Sequence, residues 1–352
     1  MGNSLSEQSV VMDADQRALR ILTVTNMYPT PKHPMLGIFV AEQVASLRRR
    51  GLDVDVLFVN GKEEGKLAYA RGFGRVRRAV AARPYDLIHA HYVFSGIMAL
   101  GQTLMPFSRA RLPIVLTQHG IETQRGWTAP LSRWTSRRVN RTIATSARVQ
   151  EALGLPGVDV APCGVDTGLF APMPQADARA ALGLPQDAKL VLFVGMRRPE
   201  KRLDLAEAAV AEVQARQATG RGMPEGSSPG VVQDVRLVVA HNEPHERIPL
   251  YMNACDVLIL ASDGEGSPMV IKEAMACGLP IVSVDVGDVA AVIGGTDGCY
   301  VVDREVPALA DGLISALHFG RRTAGRAAIM PLSLDAIAAR IEEIYRDVLA
   351  SR

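Results

Sequence analysis

Short, nearly continuous apolar runs bounded by glycine, proline or polar turns recur along the chain. Ile21 to Pro29 (ILTVTNMYP), Val54 to Asn60 (VDVLFVN), Asp86 to Gly96 (DLIHAHYVFSG) and Pro113 to Gly120 (PIVLTQHG) read as buried strands, with shorter ones around Ile143 and Val158. Continuous rather than alternating apolarity predicts strands covered on both faces, the condition of a parallel sheet. A second series follows: Lys189 to Gly195 (KLVLFVG), Val235 to His241 (VRLVVAH), the strand within IPLYMNACDVLILAS, Ile281 to Val284, and Cys299 to Asp303 (CYVVD). Amphipathic helices separate them. One, IFVAEQVASLRRRG, starts after Gly37 and is closed by Gly51; another, SLDAIAARIEEIYRDVLA, ends the chain. No sequence repeat is present, yet the two halves repeat an architecture, and the pattern predicts an α/β chain of two doubly wound domains.

Expected boundaries are a disordered leader at 1–17, a first domain at 18–165, a second at 166–333, and a terminal helix at 334–352 that packs back on the first domain. In the leader, Gly2 and Ser6 satisfy the short N-myristoylation pattern, but a flexible leader is the preferred reading. Residues 217–231 (QATGRGMPEGSSPGV) form a Gly/Pro/Ser-rich connection without apolar periodicity.

Composition narrows the function classes. With 352 residues, 48% apolar and 22% charged, the chain can bury a large core. Cys163, Cys255, Cys277 and Cys299 are too widely spaced for a disulfide framework or a zinc site, and point to a reducing cytoplasm. No apolar run approaches the roughly 20 residues of a membrane span. The net charge of +2 hides a division: residues 1–165 carry 21 Lys and Arg against 12 Asp and Glu, the remainder 18 against 25. A basic first half suggests an anionic partner, such as a membrane surface or a phosphate-bearing acceptor. Arg71, Arg75 and Arg78 share a helical face, read as a solvated face with lipid contact as the alternative. Trp127 to Arg141 interleaves two tryptophans with Arg133, Arg137, Arg138 and Arg141, but no nucleic-acid-binding motif accompanies them.

The chemistry concentrates at Ser262 to Val289 (SDGEGSPMVIKEAMACGLPIVSVDVGDV). Ser267 followed by Pro268 reads as an N-cap with proline at the first helical position. Gly278 and Pro280 end that helix ahead of the Ile281 to Val284 strand. Glu265 then lies in the loop before the helix, the free amides of Met269 and Val270 point from its N-terminus, and Glu273 falls one turn later on the same face. Amides and helix dipole suit phosphates, and carboxylates suit hydroxyls, so the combination fits a phosphorylated sugar. His91 and His119 sit at carboxyl ends of expected parallel strands, where open α/β sheets place ligands.

Glu265-x7-Glu273 within EGSPMVIKEAMACGLPIV resembles the signature of the retaining nucleotide-sugar glycosyltransferases of family 4 and the GT-B fold, two Rossmann-like domains facing across a cleft. The resemblance implies transfer of a hexosyl or N-acetylhexosaminyl group from a nucleotide diphosphate sugar, UDP-sugars among them, to a glycan, lipid-linked or small-molecule acceptor. It implies Glu273 on the ribose hydroxyls, with Gly266, Ser267, Met269 and Val270 around the donor. Glu265 would bind the transferred sugar, with His91 on the acceptor side and His119 contacting the sugar. Lys201 matches the lysine that holds the diphosphate, while the family's arginine position holds Met196 and Arg197 is one residue late. Gly37 is carried over as a glycine that lets the backbone approach the diphosphate; Leu36 replaces a second. Arg198 and Arg202 are expected in solvent. No metal or other cofactor is expected, nor a nucleic-acid partner. The protein is expected in the cytoplasm or peripherally at the inner face of the membrane, with cell-surface polysaccharide synthesis as its setting. The alternatives are a non-catalytic sugar-nucleotide or glycan-binding protein on the same fold and a sugar-nucleotide epimerase.

Overall fold

The computed structural model describes residues 17–104, 111–120, 126–220 and 234–352. The leader, with Gly2 and Ser6, and most of the 217–231 connection lie outside the described residues.

Eleven strands occur among the described residues, each on a run read from the sequence. In the first domain, β1 (Arg20–Thr25), β2 (Asp53–Phe58), β3 (Leu87–His91), β4 (Ile114–Gln118), β5 (Arg141–Ala144) and β6 (Asp159–Val160) form one sheet in the order β2-β1-β3-β4-β5-β6. In the second, β7 (Lys189–Val194), β8 (Val235–Ala240), β9 (Val257–Leu260), β10 (Ile281–Val284) and β11 (Cys299–Val302) form the order β11-β10-β9-β7-β8. Every pairing is parallel. β3 and β4 are buried at every position, which explains why their sequences do not alternate.

Each sheet reverses its strand order once, between β1 and β3 and between β7 and β9. At such a switch point the connections leave toward opposite faces and open a crevice beyond the strand carboxyl ends. The run Asp86 to Gly96 is strand only through His91; Tyr92 turns the chain and Val93–Leu100 is helical. Tyr92 has φ +70° and ψ +157°, a conformation costing a non-glycine residue about 1–3 kcal/mol.

The terminal helix Leu334–Ala350 belongs structurally to the first domain. Ile337, Ala338, Ile341, Ile344, Tyr345 and Val348 pack among Ile21, Val44, Leu47, Leu87 and Ile143. Ser46 Oγ donates to the Leu334 carbonyl at 3.0 Å, and Arg50 pairs with Glu342 at 2.8 Å. The chain therefore crosses between domains twice, and the crossings bond to each other: Val165 N donates to Leu332 O and Leu334 N to Val165 O, both at 2.9 Å.

The buried Tyr345 hydroxyl meets His89 Nδ1 at 2.6 Å, while His89 Nε2 meets Thr117 Oγ1 at 2.7 Å. Tyr345→Phe leaves that buried nitrogen unpaired and is expected to cost about 1–3 kcal/mol in urea unfolding. Arg50→Ala, at the partly exposed pair, is expected to cost about 0–1 kcal/mol. Equal costs would show that the hydroxyl does not anchor the helix.

Candidate active site

The two switch points face each other across a cavity of about 400 Å³. Met35, Ile38, Phe39, Tyr92, His119 and Cys163 line it from the first domain; Val194, Lys201, Glu265 to Val270, and Glu273 line it from the second. This volume falls within the range of pockets that hold small organic ligands.

The loop after β9 is seated against the loop after β4 at backbone distance. A Cβ added at Gly266 would lie 1.8 Å from the His119 carbonyl oxygen, so no larger residue fits while the cleft keeps this shape. Beyond Gly266, helix Met269–Ala276 points its N-terminus into the cavity. Ser267 does not cap it. Ser267 Oγ instead donates to Asp288 Oδ2 at 2.7 Å and accepts from Lys272 Nζ. Pro268 occupies the cap position, and no side chain caps the helix. The physical reason is Lys272, whose side chain is fully buried and whose ammonium also meets Asp288 Oδ2 at 3.2 Å. A buried cation must be paired and hydrogen-bonded, and Ser267 serves that need. The Met269 and Val270 amides are thereby left for a ligand, and a helix N-terminus of this kind attracts anions.

Lys201 Nζ and Glu265 Oε1 lie 2.6 Å apart at the cavity wall. The pair joins the two strand ends at the second switch point. Glu273 is nearly buried, and its Oε1 meets His245 Nε2 at 3.1 Å. On the opposite wall, the His119 and Tyr92 rings lie 4.5 Å apart. His91, fully buried, sits behind His119 with Nδ1 3.0 Å from His119 Nε2. Burial pushes the His91 pKa down to about 3, and burial with His91 beside it holds that of His119 well below the ordinary imidazole range. Both rings are neutral at physiological pH.

Comparison with known proteins fits this geometry. Residues 36–169 match the model of Glycosyltransferase Family 4, and residues 188–318 that of Glycosyl transferases group 1. This chain belongs to the family 4 (group 1) glycosyltransferases. It is 27% identical to a protein named as a teichuronic acid biosynthesis glycosyltransferase in Bacillus subtilis, over 85% of this chain and 90% of that one. It is 30% identical to the D-inositol 3-phosphate glycosyltransferases of Mycobacterium tuberculosis and Mycobacterium bovis, over 74% of this chain but only 59% of theirs. Among solved structures, sucrose-phosphate synthase from Thermosynechococcus elongatus superposes with TM-score 0.73 at 20% identity, covering 95% of this chain and all of that one (100%). Anabaena Alr3699/HepE in complex with UDP-glucose superposes at 0.66 and 19% identity, covering 94% and 100%. The fold is GT-B.

In this glycosyltransferase, Lys201, Glu265, Gly266, Ser267, Met269, Val270, Glu273 and His119 all reach one cavity. His91 backs His119 without lining it. Gly37 adopts φ +64° at the start of the Ile38–Arg49 helix, and a Cβ there would lie 2.4 Å from the Met27 carbonyl oxygen. The crowding that demands glycine is thus against the chain itself. Arg197 is exposed and outside the lining. Arg202, expected in solvent, is held by Asp204 at 2.9 Å and Asp263 at 3.3 Å, stapling the loop after β7 to the loop after β9. Sequence reasoning missed Tyr92, Phe39, Glu42 and His245. Tyr92 had a signal in its place directly after a strand-end histidine; the others become neighbours of the site only through folding.

Gly266→Ala is expected to force the two loops apart by more than an ångström, which can cost about 10²-fold in kcat/KM. Gly264→Ala, with no heavy atom near the added Cβ, is the matched control and is expected to leave kcat/KM unchanged. Equal activity in the two variants would show that the seating of Gly266 does not matter for catalysis.

Proposed function

We propose that this glycosyltransferase moves a hexosyl or N-acetylhexosaminyl group, with retention of anomeric configuration, from a nucleotide diphosphate sugar to a glycan or lipid-linked acceptor. The observation that carries the reading is the arrangement of two carboxylates, a lysine and an uncapped helix N-terminus around one interdomain cavity. Phosphates meet the Met269 and Val270 amides and Lys201, ribose hydroxyls meet Glu273, and the transferred sugar meets Glu265. Lys201 leaves part of its pairing with Glu265 for the phosphate as the donor enters. The acceptor oxygen then bonds to the anomeric carbon on the face from which the diphosphate oxygen departs, and the acceptor proton passes to that leaving phosphate. Negative charge growing on the phosphate is stabilised by fixed donors, each worth about 3 kcal/mol of barrier by analogy with oxyanion-hole deletions. Such a site works without a divalent cation. Arg197, exposed on the loop after β7, joins the phosphates only if that loop shifts.

A uracil base is favoured among donors because UDP-glucose occupies a structural neighbour. The acceptor belongs to the basic first domain. Trp127 is 70% exposed and Arg138 lies over the Trp134 ring at 4.1 Å, giving that domain an aromatic and cationic face for an anionic acceptor or membrane surface. Not all its arginines are available: Arg75 is engaged by the Phe58 carbonyl and Arg141 by Asp159.

Thermal shift against UDP, GDP, ADP and their sugars tests the donor reading. The correct nucleotide at a hundredfold excess over Kd adds about 2.7 kcal/mol to stability. Glu273→Ala is expected to weaken binding of that bare nucleoside diphosphate. Glu265→Ala is expected to lower transfer, by about 10²-fold for a lost transition-state contact, with less effect on nucleotide binding. Activity is expected to survive a chelator. Wild-type nucleotide affinity in both variants, or an absolute magnesium or manganese requirement, would overturn the site.

A further inference from the structure

Glu42 lies on the Ile38–Arg49 helix of the first domain and reaches across to His245 of the second, Oε1 to Nδ1 at 3.3 Å. The other nitrogen of the same ring meets Glu273 Oε1 at 3.1 Å. An imidazole is therefore held between two carboxyl groups from opposite domains. The three side chains are 13%, 6% and 7% exposed for Glu42, His245 and Glu273. Phe170 covers the ring at 5.2 Å, and Glu42 Oε2 is buried with no hydrogen-bond partner among the described residues.

Proton counting constrains this cluster. A neutral imidazole has one N–H and satisfies one carboxylate; the second contact needs one more proton, on the other ring nitrogen or on a carboxyl group. Either placement leaves one net negative charge, and the proton belongs to the cluster as a whole. Without it, a nitrogen lone pair faces a carboxylate oxygen and one contact turns repulsive. The groups coupled to the cluster are Asp166 and Glu246 in addition to its three members, together with the Cys163 thiol near Glu42 and the Cys277 thiol near Glu273, both pushed up by burial. Burial pushes the Glu42 carboxyl up to about 7, opposed by His245 and assisted by Glu273 and Asp166. Burial disfavours a charged His245, but Glu273, then Glu42 and Glu246, outweigh it and raise its pKa. Both shifts favour retention of the proton at neutral pH.

We propose that His245 and Glu42 are positioning residues for Glu273: their shared proton fixes Glu273 through Oε1, leaving Oε2 for the ribose hydroxyls, and only while the cleft is closed. This rests on the reading of Glu273 as the ribose ligand. Because Glu42 comes from the first domain, donor binding and domain closure become one equilibrium. The proton is present below the cluster's upper pKa and lost as pH rises through it, so nucleotide affinity falls on the alkaline side. Glu42→Gln removes that requirement, since its amide N–H can donate to Nδ1 while His245 Nε2–H donates to Glu273.

The test is calorimetric titration of the full chain with UDP, GDP and ADP separately, between about pH 6 and about pH 9, spanning the ordinary imidazole pKa. For the nucleotide that binds most tightly, wild-type affinity is expected to fall above neutrality by up to about tenfold per pH unit, the limit for one linked proton. E42Q is expected to match the wild type at low pH and lose the alkaline fall. H245A is expected to bind about tenfold more weakly at low pH, the loss of one charged hydrogen bond. E42Q, nearly isosteric, carries the test if H245A fails to fold. A wild-type alkaline fall retained in E42Q overturns the relay, as does a wild-type profile that is flat. If E273A weakens binding while E42Q and H245A behave as wild type, the relay fails and the ribose reading stands. If E273A binds as tightly as wild type, both fail.

Discussion

The contact on which the site depends is the seating of Gly266 against the carbonyl of His119. It brings two switch-point loops from different domains to backbone contact, and everything that faces the cavity is positioned by that approach. Parallel sheets alone open a crevice at each reversal of strand order, but a crevice on one sheet presents groups from one side only. Placing two such crevices mouth to mouth gives a ligand two walls with different chemistry. The terminal helix supports the arrangement because it ties the end of the second domain to the core of the first through Tyr345, Ile341 and Ile337.

The walls differ in charge as well as in origin. On the first-domain wall, His119 is held neutral, with Phe39 and Tyr92 tilted against it and buried His91 stacked behind it. On the second-domain wall the ionised groups are paired within the protein: Lys201 with Glu265, Lys272 with Asp288. Of these, Lys272 is wholly buried and structural, whereas Lys201 and Glu265 line the cavity and can exchange partners with a ligand. The distinction between a lysine that builds the loop and one that faces the cavity follows from burial.

The fold was legible because buried parallel strands write themselves as continuous apolar runs, as β7, β9 and β10 do, while β2, β5 and β6, shorter or less buried, were read from their place in the alternation of strands and helices. The family was legible from the Glu265 to Val284 stretch, since a loop carboxylate, a helix start and a following strand are consecutive in the chain. Ser267 misled because a serine before a proline is a common cap, and nothing local reveals that Lys272 is buried and must be paired with it. Glu42 and His245 were illegible for a different reason. They are some two hundred positions apart and neither sits in a motif: His245 meets Glu273 through the fold of the second domain, and Glu42 meets His245 only across the cleft. The strained backbone of Tyr92 also lies beyond sequence reading, because a tyrosine carries no preference for a positive φ.

The central claim is that the cleft between the switch points holds a nucleotide diphosphate, and the most direct measurement is a crystal structure of the protein with the nucleoside diphosphate that stabilises it most. Phosphate oxygens are expected within hydrogen-bond distance of the Met269 and Val270 amides, with ribose hydroxyls against Glu273. Density for the nucleotide elsewhere, with Glu273 unengaged and the helix N-terminus empty, would contradict it.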